Sequence, residues 1–314
     1  MKKSFIRILS LVFCLVFLFG SSCVFANEIN LSQKCSLTLK YTKENKIFSD
    51  LEIKIYRIAT FTDDLEFKAD APFDSYPVRI NGVTSQTEWN EVASTLRGYI
   101  EADGIIPYRV QNTDADGNVE FNDLDTGLYL IGGLSVNADG TNYTFYDSMI
   151  VLPSKDGDSY VYDVIAKPKS TQSEPSTQEK TYTVLKLWQD EGHTDKRPAS
   201  VTVDIVKNGQ LEETVTLSAA NNWTYSFTLS DPNASISVVE RKVAKDYTVK
   251  VTEKDSSFII INTWNTQQTD EPVDPPTTPP QTGDTSSLGL WMLLLCISGL
   301  SLIVLGVLWN KEKA

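Results

Sequence analysis

The chain has 314 residues, is 41% hydrophobic and carries a formal net charge of −13. So acidic a surface repels nucleic acid and anionic lipid and argues against both as partners. Aromatic residues at 10%, with abundant Val, Ile and Thr, favour strands over helices.

At the N terminus, Lys2, Lys3 and Arg7 precede an apolar stretch, Ile8 to Phe19, too short for a stable membrane span beside this charge pattern. Val24-Phe25-Ala26 offers small residues where signal peptidase reads, so residues 1–26 are expected to be a signal peptide cleaved after Ala26. Cys23 raises a lipoprotein reading, which Gly20-Ser21-Ser22 weakens because no aliphatic residue stands three positions before it. Cleavage removes Cys14 and Cys23, and Cys296 lies in a C-terminal apolar run. Cys35 is then the one cysteine left, and no intramolecular disulfide can form despite the oxidising exterior.

Residues 27–169 read as a first domain. Cys35–Tyr41 and Leu51–Ile58 alternate apolar and polar residues, as half-buried strands do. Ser85 and Glu88 have the spacing of a capping box, and Trp89, Val92, Ala93, Leu96 and Ile100 fall on one helical face. A helix over about 86–102 is expected, packed on a sandwich through that stripe. Asp114-Ala115-Asp116-Gly117-Asn118 resembles a calcium loop, but its glycine stands fourth instead of sixth and no glutamate stands twelfth, so a tight hairpin turn is expected.

Residues 170–179, Ser-Thr-Gln-Ser-Glu-Pro-Ser-Thr-Gln-Glu, are polar and aperiodic and read as a linker. Residues 180–266 read as a second domain with seven strand runs: Tyr182–Trp188, Val201–Lys207, Glu213–Leu217, Trp223–Leu229, Ile236–Arg241, Tyr247–Thr252 and Phe258–Thr263. Turn signals such as Lys207-Asn208-Gly209-Gln210 separate them, and seven short strands in so few residues point to a β-sandwich. Residues 267–280 are proline-rich and suit a semi-rigid extended stalk. The chain ends, over 279–314, with Pro279-Pro280-Gln281-Thr282-Gly283, an apolar run over about 288–309, and a tail containing Lys311 and Lys313. That run would span about 33 Å as a helix, enough to cross a bilayer core, and the lysines would hold its end in the cytoplasm.

The C-terminal order of pentapeptide, membrane helix and basic tail resembles the cell-wall sorting signal (Leu-Pro-x-Thr-Gly) read by sortases of Gram-positive bacteria. Pro280, Thr282 and Gly283 match the pattern and Pro279 replaces its leucine. The resemblance implies cleavage between Thr282 and Gly283 and transfer of the Thr282 carbonyl to an amine. An ordinary single-pass tail anchor is the plainer alternative. In the second domain, Lys186-Leu187-Trp188, Arg197-Pro198-Ala199-Ser200-Val201, Asn221-Asn222-Trp223 with Phe227, Val238-Val239-Glu240 and Ile261-Asn262-Thr263 resemble the Cna protein B-type (CnaB) domains. In that family a first-strand lysine and a last-strand asparagine form a spontaneous isopeptide bond assisted by a glutamate. The resemblance therefore implies a Lys186–Asn262 bond assisted by Glu240, with a surface ion pair and a turn asparagine as the bland alternative.

Val119-Glu120-Phe121, Leu124 and Gly127-Leu128-Tyr129-Leu130 resemble CnaB-type pilin modules as well. Gly132-Gly133 stands where a glutamate would follow, so a bond from Lys40 is not expected. Tyr160 to Lys169 resembles the pilin motif, with Val164, Pro168 and Lys169 matching, which implies that Lys169 accepts the acyl group of another subunit, Lys167 being the substitute. The expected fold is all-β: two tandem immunoglobulin-like, CnaB-type sandwiches, the first with a helical insertion. The expected role is a minor, basal pilin anchored to peptidoglycan on the surface of a Gram-positive bacterium, with sortase and other pilin subunits as partners. A backbone pilin, or a free-standing wall-anchored adhesin binding host matrix, is the alternative. No enzyme is expected: the one histidine, His193, has no nucleophile beside it in Glu191-Gly192-His193-Thr194. Neither a Cys/His metal cluster nor a phosphate loop occurs, and no cofactor or metal is expected.

Overall fold

A computed structural model describes residues 29–265 apart from Asp158 and Asp255. The expected signal peptide, the stalk after residue 266, the sorting pentapeptide and the membrane helix lie outside the described residues. The rest is mostly strand, as an all-β chain requires.

The first part is built in three layers. Strands β1 (Cys35–Lys40), β2 (Glu52–Phe61), β3 (Phe67–Ala69), β4 (Arg109–Asn112), β5 (Asn118–Leu124), β6 (Gly127–Ile131), β7 (Leu134–Ala138), β8 (Thr141–Phe145), β9 (Ser148–Leu152), β10 (Asp163–Ala166) and β11 (Ser170–Ser173) surround one helix, α1 (Gln86–Asp103). A central sheet runs β9-β6-β2-β3, with β4 also on β2. One face of it meets the β10-β1-β5 sheet and the other meets α1. The strands record this directly. Cys35, Leu37, Leu39 and Tyr41 alternate into one core with Tyr129 and Ile131 of β6, whereas Leu128 and Leu130 point the other way to Val92, Ala93, Leu96 and Ile100 of α1. β6 is therefore apolar throughout, because both of its faces are covered. The Asp114–Asn118 segment is the expected turn. The Asp114 side chain accepts from the Asp116 and Asn118 amides at 2.9 and 2.8 Å, and Gly117 takes φ +75°.

The second part is a sandwich of seven strands: β12 (Lys180–Gln189), β13 (Ser200–Lys207), β14 (Gln210–Ser218), β15 (Thr224–Leu229), β16 (Ile236–Arg241), β17 (Tyr247–Lys254) and β18 (Ser257–Trp264). One sheet has the order β15-β12-β18-β17 and the other β14-β13-β16. First strand and last strand lie side by side and parallel, Lys186 opposite Ile260 and Trp188 opposite Asn262. All seven runs read from the sequence form strands.

Two differences from the sequence reading follow from polar residues that carry no periodicity. Ser170–Ser173, read as linker, is a strand that pairs with β8, Thr171 opposite Thr144. Its alternate residues gain main-chain hydrogen bonds without burying an apolar face, so the sequence has no pattern to show. Helix α1 begins at the expected capping box, Ser85 accepting from Glu88 and Glu88 reaching back. It packs on more than its own sandwich, however. Its second face joins β16 and β17, so the described residues cluster as one unit. There Val249 N–H donates to Pro77 O at 2.8 Å and Val251 N–H to Thr95 Oγ1 at 2.7 Å, which satisfies an exposed sheet edge.

Candidate cross-linking site

The site follows from strand alternation. Along β12, Tyr182, Val184, Lys186 and Trp188 point inward by the period of two, and so does Asp190 just beyond it. On β18, Phe258, Ile260 and Asn262 point inward. Glu240 enters from the opposing sheet, on β16 opposite Val203. Lys186, Glu240 and Asn262 are 2%, 2% and 0% exposed, so three polar side chains converge inside an apolar sandwich.

Their contacts are incomplete for a structural ion pair. Glu240 Oε1 accepts from Asn262 Nδ2 at 2.7 Å, while Glu240 Oε2 stands 3.7 Å from Lys186 Nζ, beyond hydrogen-bond reach. Lys186 Nζ donates to the Leu187 carbonyl at 2.7 Å and lies 4.0 Å from the Trp188 ring centre. Glu240 Oε2 and Asn262 Oδ1 are buried without a hydrogen-bond partner. Native interiors rarely leave such groups unpaired, and each costs about 1–3 kcal/mol. The polar cluster therefore sits close together at the expense of local stability.

Burial shapes the electrostatics. Desolvation pulls the Lys186 ammonium down to about 8, against the opposing pull of the Glu240 carboxylate. The same desolvation pushes Glu240 up, countered by Lys186 and by the Asn262 hydrogen bond. Both shifts favour a neutral amine beside a neutral acid.

At one end the cluster is closed by a group that sequence reading missed. Asp190 accepts two hydrogen bonds from Arg197, at 2.7 and 2.6 Å, and one from Tyr247 at 2.9 Å. Arg197 holds the Asp190 carboxyl below the usual carboxylate range. The period-two run Lys186, Trp188, Asp190 was the available signal. Trp188 meets Trp223 and Tyr247 edge-on at 5.6 and 5.2 Å, which walls off the remaining side.

The other sequence candidates lie apart. Lys40 ends β1 with its side chain exposed, unsuited to a buried bond. Lys169 and Lys167 are exposed on either side of buried Pro168. Both line an open groove of about 1050 Å³ together with Lys43, Gln86 and Tyr146. Pro280, Thr282 and Gly283 lie outside the described residues. His193 stacks flat on Trp264 at 4.1 Å.

A seven-stranded sandwich whose first and last strands are parallel neighbours, with a lysine, an asparagine and a facing glutamate buried between its sheets, defines the class of β-domain. Residues 182–263 match the family model of the Cna protein B-type domain. Among solved structures, the chain is similar to a single B repeat unit (B1) of the collagen binding surface protein Cna of Staphylococcus aureus. Identity there is 16% over 74% of this chain and 100% of that one, with a TM-score of 0.26. It is also similar to the full-length major pilin SpaD from Corynebacterium diphtheriae, at 14% identity over 75% and 65% of the two chains and a TM-score of 0.31. The pilus backbone RrgB from Streptococcus pneumoniae gives 18% over 50% and 35%, with a TM-score of 0.27. The chain thus spans less than two thirds of the length of either pilin. Comparison with curated proteins gave no match.

Proposed function

We propose that this chain is a structural subunit of the Gram-positive cell surface, a minor, basal pilin, locked internally by a Lys186–Asn262 isopeptide bond and joined to its neighbours through amides. The observation that carries this reading is the burial of Lys186, Glu240 and Asn262 as one contacting group. The chemistry balances without a cofactor. Neutral Lys186 Nζ attacks Asn262 Cγ, Glu240 takes a proton from Nζ and gives one to Nδ2, and ammonia leaves as the C–N bond breaks. Turning the Asn262 amide over puts Oδ1 against Glu240 Oε1, where a protonated glutamate donates to it and polarises the carbonyl. The reaction happens once per molecule, so it is maturation and not turnover.

The bond also sets the load path. A pull between residues 180 and 264 runs from β12 into Lys186, across to Asn262 and out through β18, so residues 187–261 carry none of it. Wall attachment is assigned to the Thr282 acyl group and polymer attachment to Lys169. Similar proteins are named as pilins, and the exposed Lys167 and Lys169 on either side of buried Pro168 support the same role. The experiment is extraction of cells in hot detergent, before and after muramidase. Release only by muramidase is expected; release by detergent, with the hydrophobic tail intact, refutes anchoring.

A pH prediction distinguishes linked from unlinked protein. Asn262→Ala blocks the bond and leaves Lys186 titratable, with a folded pKa of about 8 against an ordinary 10.5. The folded form then holds fewer protons than the unfolded one across that interval. Stability of the variant should rise from pH 8 to 10.5, and be lost as pH falls through 8, by up to about 3 kcal/mol. The linked wild type should show no such rise in urea midpoints, because an amide nitrogen does not titrate there.

A further inference from the structure

Helix α1 belongs to the first sandwich, yet it grips the strand that carries Glu240 residue by residue. β16 is an edge strand that pairs only with β13, so α1 occupies its free side. Ser237 Oγ donates to Glu101 at 2.7 Å, and Arg241 donates to Asp103 at 2.7 Å. Gly98 lies against Val238 and Val239: a Cβ there would stand 2.8 Å from both the Val238 carbonyl oxygen and Val239 Cγ2. Next to it, the Tyr99 hydroxyl donates to the backbone carbonyl of Glu240 at 3.1 Å. Tyr99 is buried, and its ring stacks on Tyr76 at 4.2 Å, which fixes the direction of that hydroxyl.

The same helix holds the opposite sheet. Glu91 accepts from Lys250 and Thr252, both at 2.8 Å, and Thr95 accepts from the Val251 amide. β17 shares its sheet with β12 and β18, the strands of Lys186 and Asn262. α1 therefore bridges the two sheet edges and sets their spacing where Glu240 must reach across to its partners. With Glu240 oxygens 2.7 Å from Asn262 and 3.7 Å from Lys186, a shift of a few tenths of an ångström changes which contacts exist.

We propose that Tyr99 and Gly98 of the first sandwich are positioning residues for the cross-link in the second, so that the bond forms only once the two have docked. This rests on the Lys186–Asn262 reading above. The helix makes bond formation a record of correct assembly, a property that neither sandwich has alone.

The test uses the full chain, recovered unfolded and unlinked from inclusion bodies, refolded at a series of fixed pH values and sampled by intact mass. Wild type should lose about 17 Da, the mass of ammonia. Tyr99→Phe keeps the ring and removes the hydrogen bond. Tyr99 is neutral over the range used, burial having pushed its pKa up, so no charge is lost. Y99F should link about tenfold more slowly. Its bell-shaped pH profile should also narrow, because a displaced Glu240 couples less to Lys186; a loss of stability alone would not move it. Gly98→Val should fold with native far-UV circular dichroism and remain unlinked. Should Gly98→Val fail to fold, Y99F decides alone. Wild-type rate and profile in Y99F overturn the proposal. A wild-type chain that folds without any mass loss overturns the cross-link itself, and this inference with it.

Discussion

Replacing Glu240 with alanine is expected to leave the folded chain at the full mass of its own sequence, without the loss of about 17 Da that linkage brings, and to cost more stability than any other single change in the second sandwich. Two effects add. The bond closes a loop of about 77 residues, and by the entropy argument used for disulfides its absence costs about 4–5 kcal/mol. Lys186 also loses the larger of the two carboxylate attractions that offset its burial, leaving an amine 2% exposed with only the weaker pull of Asp190. A fall in melting temperature of about 20 °C or more should follow for a domain of this size. Glu240→Gln separates chemistry from shape, since it keeps the packing and the hydrogen bond to Asn262 but has no proton to shuttle. It should also stay unlinked, with a smaller loss of stability than alanine. If Glu240→Gln were linked as fully as wild type, the glutamate would have no role in proton transfer.

The second large effect is on assembly. Lys169→Ala should abolish the detergent-resistant ladders in which this chain is joined to other subunits, while Lys167→Ala keeps them. The distinction is structural. Buried Pro168 turns its two neighbours outward, but the Lys169 carbonyl accepts from the Tyr146 amide at 3.0 Å, so its backbone is tied to the sheet while its amine stays in the groove. A tethered backbone with an exposed amine presents the nucleophile at little entropic cost. Lys43 reaches the next carbonyl, that of Ser170, at 3.2 Å and secures the segment further. Immunoblots of muramidase digests read the outcome, and ladders persisting in Lys169→Ala would exclude this lysine as the acceptor. One copy per ladder supports a basal subunit; many copies support a backbone one.

How much of this could be read from residues alone depended on periodicity. The seven strands of the second sandwich were legible because one face of each is apolar, and Lys186 was legible as an inward residue between Val184 and Trp188. Asp190 lay on the same period and was missed because a charged residue past a strand end reads as solvent-facing. The pairing of Glu240 with Lys186 and Asn262 joins residues in different sheets, 54 and 22 positions apart along the chain, and no local pattern encodes it; a family resemblance pointed there. Helix α1 was half legible. Val92, Ala93, Leu96 and Ile100 made an apolar stripe, but the face that docks on β16 and β17 includes Glu91, Thr95, Gly98, Tyr99, Glu101 and Asp103, whose value lies in hydrogen bonds and close approach. Polar docking faces resemble solvent faces in any hydrophobicity reading. β11 was hidden for the same reason.

The most direct measurement is the intact mass of the mature, folded wild-type chain followed by fragmentation of its proteolytic peptides. The account predicts a mass about 17 Da below the sequence value and one branched peptide joining Lys186 to Asn262. A full-mass chain, yielding two separate peptides that carry a free lysine and an intact asparagine, would contradict it.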